Sequence, residues 1–115
     1  MNALKLDIDS IRERLAAERE ALVETETVRR DAADVVDLDQ ARVGRVSRAD
    51  AMQDQAMARA AQARAEERIK RIDAALARID DASFGECARC GEPIDPRRLD
   101  ADPTATLCLA CAERN

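Results

Sequence analysis

The stretch Cys87–Cys111, CARCGEPIDPRRLDADPTATLCLAC, contains all four cysteines of the chain. They form two C-x2-C pairs, Cys87/Cys90 and Cys108/Cys111, with 17 residues between them. This is the spacing of a four-cysteine zinc site, in which each C-x2-C turn offers two thiolates to one side of a tetrahedron. Gly91 directly follows the first pair, where a knuckle turn needs a residue free to take positive φ. Two disulfides or a redox dithiol are the competing readings, but no strand–helix–strand pattern of the thioredoxin type surrounds the cysteines. Four thiolates leave no open coordination position, and the chain has no His to serve as base or nucleophile partner. The expectation is one structural Zn2+ and no enzymatic activity.

Working outward, residues 82–115 hold all three prolines and two of the three glycines, and there helical periodicity stops. Residues 1–81 contain no Pro and a single Gly, Gly44. With one Phe, no Trp or Tyr and 37% charged residues in 115, the composition is that of a long helix or coiled coil. Such a chain cannot bury a large apolar core. Zinc, worth about 10–16 kcal/mol in small zinc peptides, is the expected compensation.

The first helical segment runs from about Asn2 to Val36, with Ile8, Ile11, Leu15 and Leu22 on one stripe. Its start is ambiguous, because Ser10 and Glu13 make a capping-box pattern inside it. The second runs from about Arg48 to Asp81. Ile69, Ile72, Leu76 and Ile79 form its seam, which thins upstream to Met52, Ala56, Ala60 and Ala63. The expected fold is mainly α: an antiparallel coiled-coil hairpin over 1–81, its tip at about 37–48, followed by a zinc finger over 82–115. The alternative pairs each helix with another chain; an intramolecular hairpin implies a monomer.

The net charge of -5 argues against a protein held to nucleic acid through the phosphate backbone. Acids exceed bases by 11 to 6 in residues 1–40, while bases exceed acids by 9 to 6 in residues 41–80, an asymmetry that suits internal pairing of two helices. There is no apolar signal-like opening and no run long enough to span a membrane. A cytoplasmic location is therefore expected, where paired cysteines are more often metal ligands than disulfides.

Residues Phe84–Cys111, FGECARCGEPIDPRRLDADPTATLCLAC, closely resemble the finger of the DksA/TraR family of bacterial transcription regulators. Phe84, Gly85, Cys87, Cys90, Gly91, Ile94, Arg97, Arg98, Leu99, Ala101, Pro103, Ala105, Cys108 and Cys111 all match without a gap. The resemblance implies a stringent-response type of regulator that binds RNA polymerase without sequence-specific DNA contact. It implies a hairpin tip that enters the secondary channel and alters initiation, with guanosine tetraphosphate as a possible co-effector at the polymerase interface.

The family's tip carries an Asp-x-x-Asp-x-Ala pattern. Ungapped alignment places it on Gly44 to Ala49, keeping Ala49 but losing both acids, to Gly44 and Ser47. The acids lie upstream at Asp34, Asp37 and Asp39, and a shifted register brings Asp37 or Asp39 to the tip. The candidate polymerase-contact residues are thus Asp34, Asp37, Asp39, Arg42, Arg45, Ser47, Arg48 and Ala49. Ser47 with Asp50 also reads as the cap of the second helix. Only four residues follow Cys111, fewer than in family members with a C-terminal helix beyond the finger. The alternative function is a zinc-stabilised hairpin acting as a protein-interaction module or passive channel blocker.

Overall fold

Asp7 opens the first helix. Its carboxylate Oδ1 accepts the backbone N–H of Ser10 at 3.2 Å, and its carbonyl accepts that of Ile11 at 3.0 Å. An Asp cap satisfies donors that the first helical turn leaves without partners. The cap thus lies three residues upstream of the capping-box pattern at Ser10 and Glu13, and Ser10 is inside the helix. The computed structural model describes residues 7–43 and 48–114, with side chains described for 7–31 and 48–114.

Four helices follow in order: α1 (Ile8–Val43), α2 (Arg48–Asp80), α3 (Pro96–Ala101) and α4 (Leu109–Glu113). Among the described residues there is no strand, only an isolated antiparallel bridge between Glu86 and Pro93. The fold is mainly α, as expected. No described helix is long and apolar enough to cross a membrane. By contacts the chain divides into two compact units, residues 1–18 with 70–115 and residues 19–69.

In the first unit the start of α1 lies antiparallel to the end of α2. Ile11 and Leu15 on α1 and Ile72, Ala75 and Ile79 on α2 are buried, with Leu15, Ile72 and Ala75 fully so. Each large aliphatic side chain removed from water contributes about 1.5–3 kcal/mol. Arg12 of α1 donates from Nη2 to Asp80 Oδ1 of α2 at 3.2 Å. The a/d seam predicted for α2 holds at Ile72 and Ile79, whereas Leu76 is half-buried and Ala75 takes the closed position.

In the second unit the described part of α1, to residue 31, turns more polar on its covered side. Leu22, Glu26 and Arg29 are half-buried in turn, and Glu26 forms a close ion pair with Arg29 one turn on. On α2 the buried residue is Ala65, flanked by half-buried Ala61, Gln62, Arg68 and Ile69. The seam expected through Met52, Ala56, Ala60 and Ala63 is wrong: Met52 is 63% exposed and the three alanines are exposed. Heptad steps back from Ile79 and Ile72 lead to Ala65, two residues and therefore about 200° away from Ala63 around the helix. Alanine carries too little hydrophobic contrast to mark its own face.

The end of α1 also differs from expectation, at Val43 rather than Val36. Val35, Val36 and the aspartates nearby are weak helix formers, but nothing breaks the backbone before Gly44.

Helix α2 ends in a Schellman motif. The N–H of Ser83 reaches the Arg78 carbonyl at 2.9 Å, and the N–H of Ala82 reaches the Ile79 carbonyl at 3.3 Å. Ala82 takes the left-handed position at φ 67°, where glycine is the usual occupant. The Asp81 carboxylate braces the turn by accepting Ser83 Oγ at 2.6 Å and Ser83 N–H at 3.0 Å, and these bonds hold its pKa below the ordinary value.

Ala82→Gly is expected to raise stability by about 0.5–1 kcal/mol. Relief of left-handed strain, about 1–2 kcal/mol, exceeds the added unfolded-state entropy of about 0.4–1 kcal/mol. Ile72→Ala is expected to cost about 2–5 kcal/mol. Urea unfolding of the zinc-loaded chain, followed by circular dichroism, measures both.

Candidate metal centre

Phe84 enters the finger directly from the Schellman turn, its N–H also reaching the Arg78 carbonyl, at 3.1 Å. The first C-x2-C pair sits on a narrow loop. Ile94 N–H donates to the Gly85 carbonyl at 2.8 Å, Cys87 N–H to Glu92 at 2.8 Å, and Gly91 N–H to Cys87 at 2.9 Å. Gly91 closes this loop at φ 78°, as its place after Cys90 predicts.

The second pair is set by a helix start. Cys108 is the N-cap residue of α4 and Cys111 lies within it. Ala112 N–H donates to the Cys108 carbonyl at 2.9 Å, and Ala88 N–H donates to Thr106 at 2.7 Å, joining the two halves.

Between the pairs, α3 supplies the packing. Asp95 caps it by accepting the N–H of Arg97 at 2.9 Å, with Pro96 at the first helical position. The Arg97 guanidinium returns to the same carboxylate, with Nη2 at 3.0 Å from Oδ2, and holds the Asp95 carboxyl below its usual range. Leu99, 1% exposed, packs with Cys87, Ile94 and Cys111, and Phe84, Ala105, Leu107 and Cys108 cover this cluster. Arg98 Nε donates to the Leu107 carbonyl at 3.0 Å, fixing the residue before Cys108.

The four sulfurs of Cys87, Cys90, Cys108 and Cys111 lie within 4.8 Å of one another, and they are the one such group among the described residues. Cys90 Sγ and Cys108 Sγ stand 3.8 Å apart. No disulfide joins any of the four. Tetrahedral zinc with Zn–S bonds of about 2.3 Å requires S···S separations of about 3.8 Å, so the cluster fits this ion.

The thiol electrostatics agree. The backbone N–H of Cys108, followed by that of Cys90, lowers the Cys87 pKa to about 6. Burial first, then the neighbouring sulfurs, pushes the Cys111 pKa up to about 12. At Cys90 the Glu92 N–H opposes a rise, but the adjacent Cys87 sulfur and desolvation outweigh it. One thiolate forms readily and its negative charge resists the next. A divalent cation removes that repulsion and makes all four thiolates compatible.

The tip candidates fare differently. Asp34, Asp37, Asp39 and Arg42 lie within the helical backbone of α1. Arg48 and Ala49 begin α2 and are exposed. Arg45 and Ser47 lie outside the described residues, as does the proposed Ser47 cap; α2 does begin at the residue after Ser47. Missing from the residues singled out by sequence are Asp100 and its partner Arg14. The Asp95-Pro96 pair was a legible signal for the short helix that carries Asp100.

Zinc binding at pH 7 is expected to release at least two protons, from Cys90 and Cys111, whose pKa values are raised. Cys87, already ionised above about 6, joins them only at lower pH, so affinity falls more steeply with acidification below that value. Calorimetric titration in buffers of differing ionisation enthalpy counts the protons.

Residues 82–115 match the family model of the prokaryotic dksA/traR C4-type zinc finger. Over 47 residues the chain is 49% identical to the RNA polymerase-binding transcription factor DksA of Caulobacter vibrioides, a match covering 41% of this chain and 33% of that protein. The DksA of Haemophilus influenzae is 51% identical over 43 residues, 37% of this chain and 30% of that protein. The matched stretch thus spans about a third of the length of these relatives. The solved structure of transcription factor DksA2 from Pseudomonas aeruginosa is similar over 98% of this chain and 86% of its own, with TM-score 0.71 and 27% identity. The finger, residues 82–115, is thus of the dksA/traR C4 type, and the fold of the chain is similar to that of a DksA2 transcription factor.

Proposed function

We propose that Cys87, Cys90, Cys108 and Cys111 hold one structural Zn2+ and that the chain is an RNA polymerase-binding regulator of transcription initiation. The observation that carries the reading is the likeness to a DksA2 transcription factor across 98% of the chain, helices as well as finger. The relatives matched over the finger are named as RNA polymerase-binding transcription factors, which supports the same partner.

In this reading the connection between α1 and α2 enters the polymerase secondary channel, and guanosine tetraphosphate acts at the polymerase interface. The finger contributes stability rather than chemistry, since four thiolates saturate a tetrahedral ion and exclude a reactive water. The protein regulates and does not catalyse. It works as a monomer in the cytoplasm and reads no DNA sequence, in keeping with a net charge of -5.

Asp34, Asp37, Asp39 and Arg42 in the last turns of α1, with Arg48 and Ala49 in the first turn of α2, flank the connection and would stand closest to the polymerase active centre. Arg45 and Ser47 complete the set. With no acid at positions 44 and 47, the acidic function falls to Asp37 and Asp39 at the end of α1.

In vitro transcription from a ribosomal promoter, with and without guanosine tetraphosphate, is expected to show an altered transcript yield and a shorter-lived open complex when the protein is added. Asp37→Asn with Asp39→Asn should abolish most of that effect while the variant still co-elutes with polymerase core. Failure to co-elute at any concentration defeats the proposal. Co-elution without any effect on yield favours a passive channel blocker.

A further inference from the structure

Two arginines two residues apart, about 200° around the helix, leave the start of α1 in different directions. Arg12 reaches Asp80 at the end of α2. Arg14 reaches the finger: its Nη1 donates to Asp100 Oδ1 at 3.4 Å and its Nη2 to the Asp100 backbone carbonyl at 3.1 Å. These contacts span 86 residues of sequence.

Asp100 is the neighbour of Leu99 on α3, and Leu99 shares one buried cluster with Cys87, Ile94 and Cys111. The same short helix is bound to the residue before Cys108 through Arg98. One turn of helix therefore touches the sulfur cluster on one side and α1 on the other. With six residues it is too short to persist without its packing. If the ion is lost, no bond gathers the four sulfurs, the cluster opens, Leu99 loses its neighbours, and the Asp100 carbonyl and carboxylate leave their position against Arg14.

We infer that α3 is a metal-dependent clasp: zinc occupancy of the four cysteines is coupled, through Leu99 and Asp100 to Arg14, to the ordering of the first turns of α1. Coupling of this kind is reciprocal, so whatever zinc adds to α1, the Arg14–Asp100 contact adds to zinc affinity. The contact is exposed, with side-chain accessibilities of 46% and 79%, and an exposed pair supports a coupling of about threefold. The inference rests on the zinc reading of the cysteines but not on polymerase binding.

Hydrogen–deuterium exchange of the full chain, zinc-loaded and chelated, tests it. Chelation is expected to accelerate exchange across residues 8–18. Arg14→Gln should accelerate it with zinc still bound, shrink the zinc-dependent difference, and weaken zinc affinity about threefold in a chelator competition. Asp100→Asn, which keeps the backbone carbonyl contact, should move both readouts the same way by less. Arg12→Gln should loosen α1 yet preserve the response to zinc.

If the chain binds zinc but residues 8–18 exchange equally with and without it, the clasp is overturned. It is overturned also if Arg14→Gln retains both the full zinc response and the unaltered affinity. A chain that holds no zinc overturns the reading of the metal centre as well.

Discussion

The convergence of four sulfurs on one small volume is the constraint on which the finger is built. Thiols packed within 4.8 Å oppose each other's ionisation, and only a cation reconciles them. Everything nearby serves to hold that unfavourable gathering in place. The narrow loop from Gly85 to Ile94 aims the first pair, the start of α4 aims the second, and Leu99 fills the space between. With a single aromatic residue in 115, the chain has little apolar surface from which to build such order by burial alone. Metal binding and folding of the finger are one event in energetic terms.

The helices solve the same shortage differently. At the base of α1 and α2 a few large aliphatic residues, Ile11, Leu15, Ile72 and Ile79, are buried beside Ala75. In the second unit Ala65 is the buried residue on α2, and the half-buried positions of α1 include charged Glu26 and Arg29. Among the described side chains, aliphatic burial is thus concentrated in the first unit. Local stability follows burial, which makes the base the firmer part.

Much of this was legible from residue spacing. Two C-x2-C pairs 17 residues apart state a metal site almost without reference to context, because ligand geometry demands that spacing. Ile72 and Ile79 announced their seam for a similar reason: large apolar residues at heptad intervals have one economical explanation. Where alanine replaced them, the signal failed. Ala56, Ala60 and Ala63 look locally like Ala61 and Ala65, and only heptad steps counted back from Ile79 and Ile72 single out the buried Ala65. The end of α1, expected at about Val36, lies at Val43, because weak formers such as Val35 and Val36 lower helix propensity without breaking the helix. Arg14 and Asp100 were invisible for another reason. A contact across 86 residues leaves no trace in either local stretch.

Ala75 has a bearing on which sequence changes the fold can absorb. It is completely enclosed, and a larger side chain there would wedge the helices apart at a typical cost of about 1–3 kcal/mol. Nearby Ala74 and Ala77 are exposed on the same helix and accept bulk freely. The alanines of α2 look like repetitive filler in the sequence, yet they fall into two populations with opposite tolerance to drift. Divergence of this chain should therefore enlarge Ala74 and Ala77 freely while leaving Ala75 small.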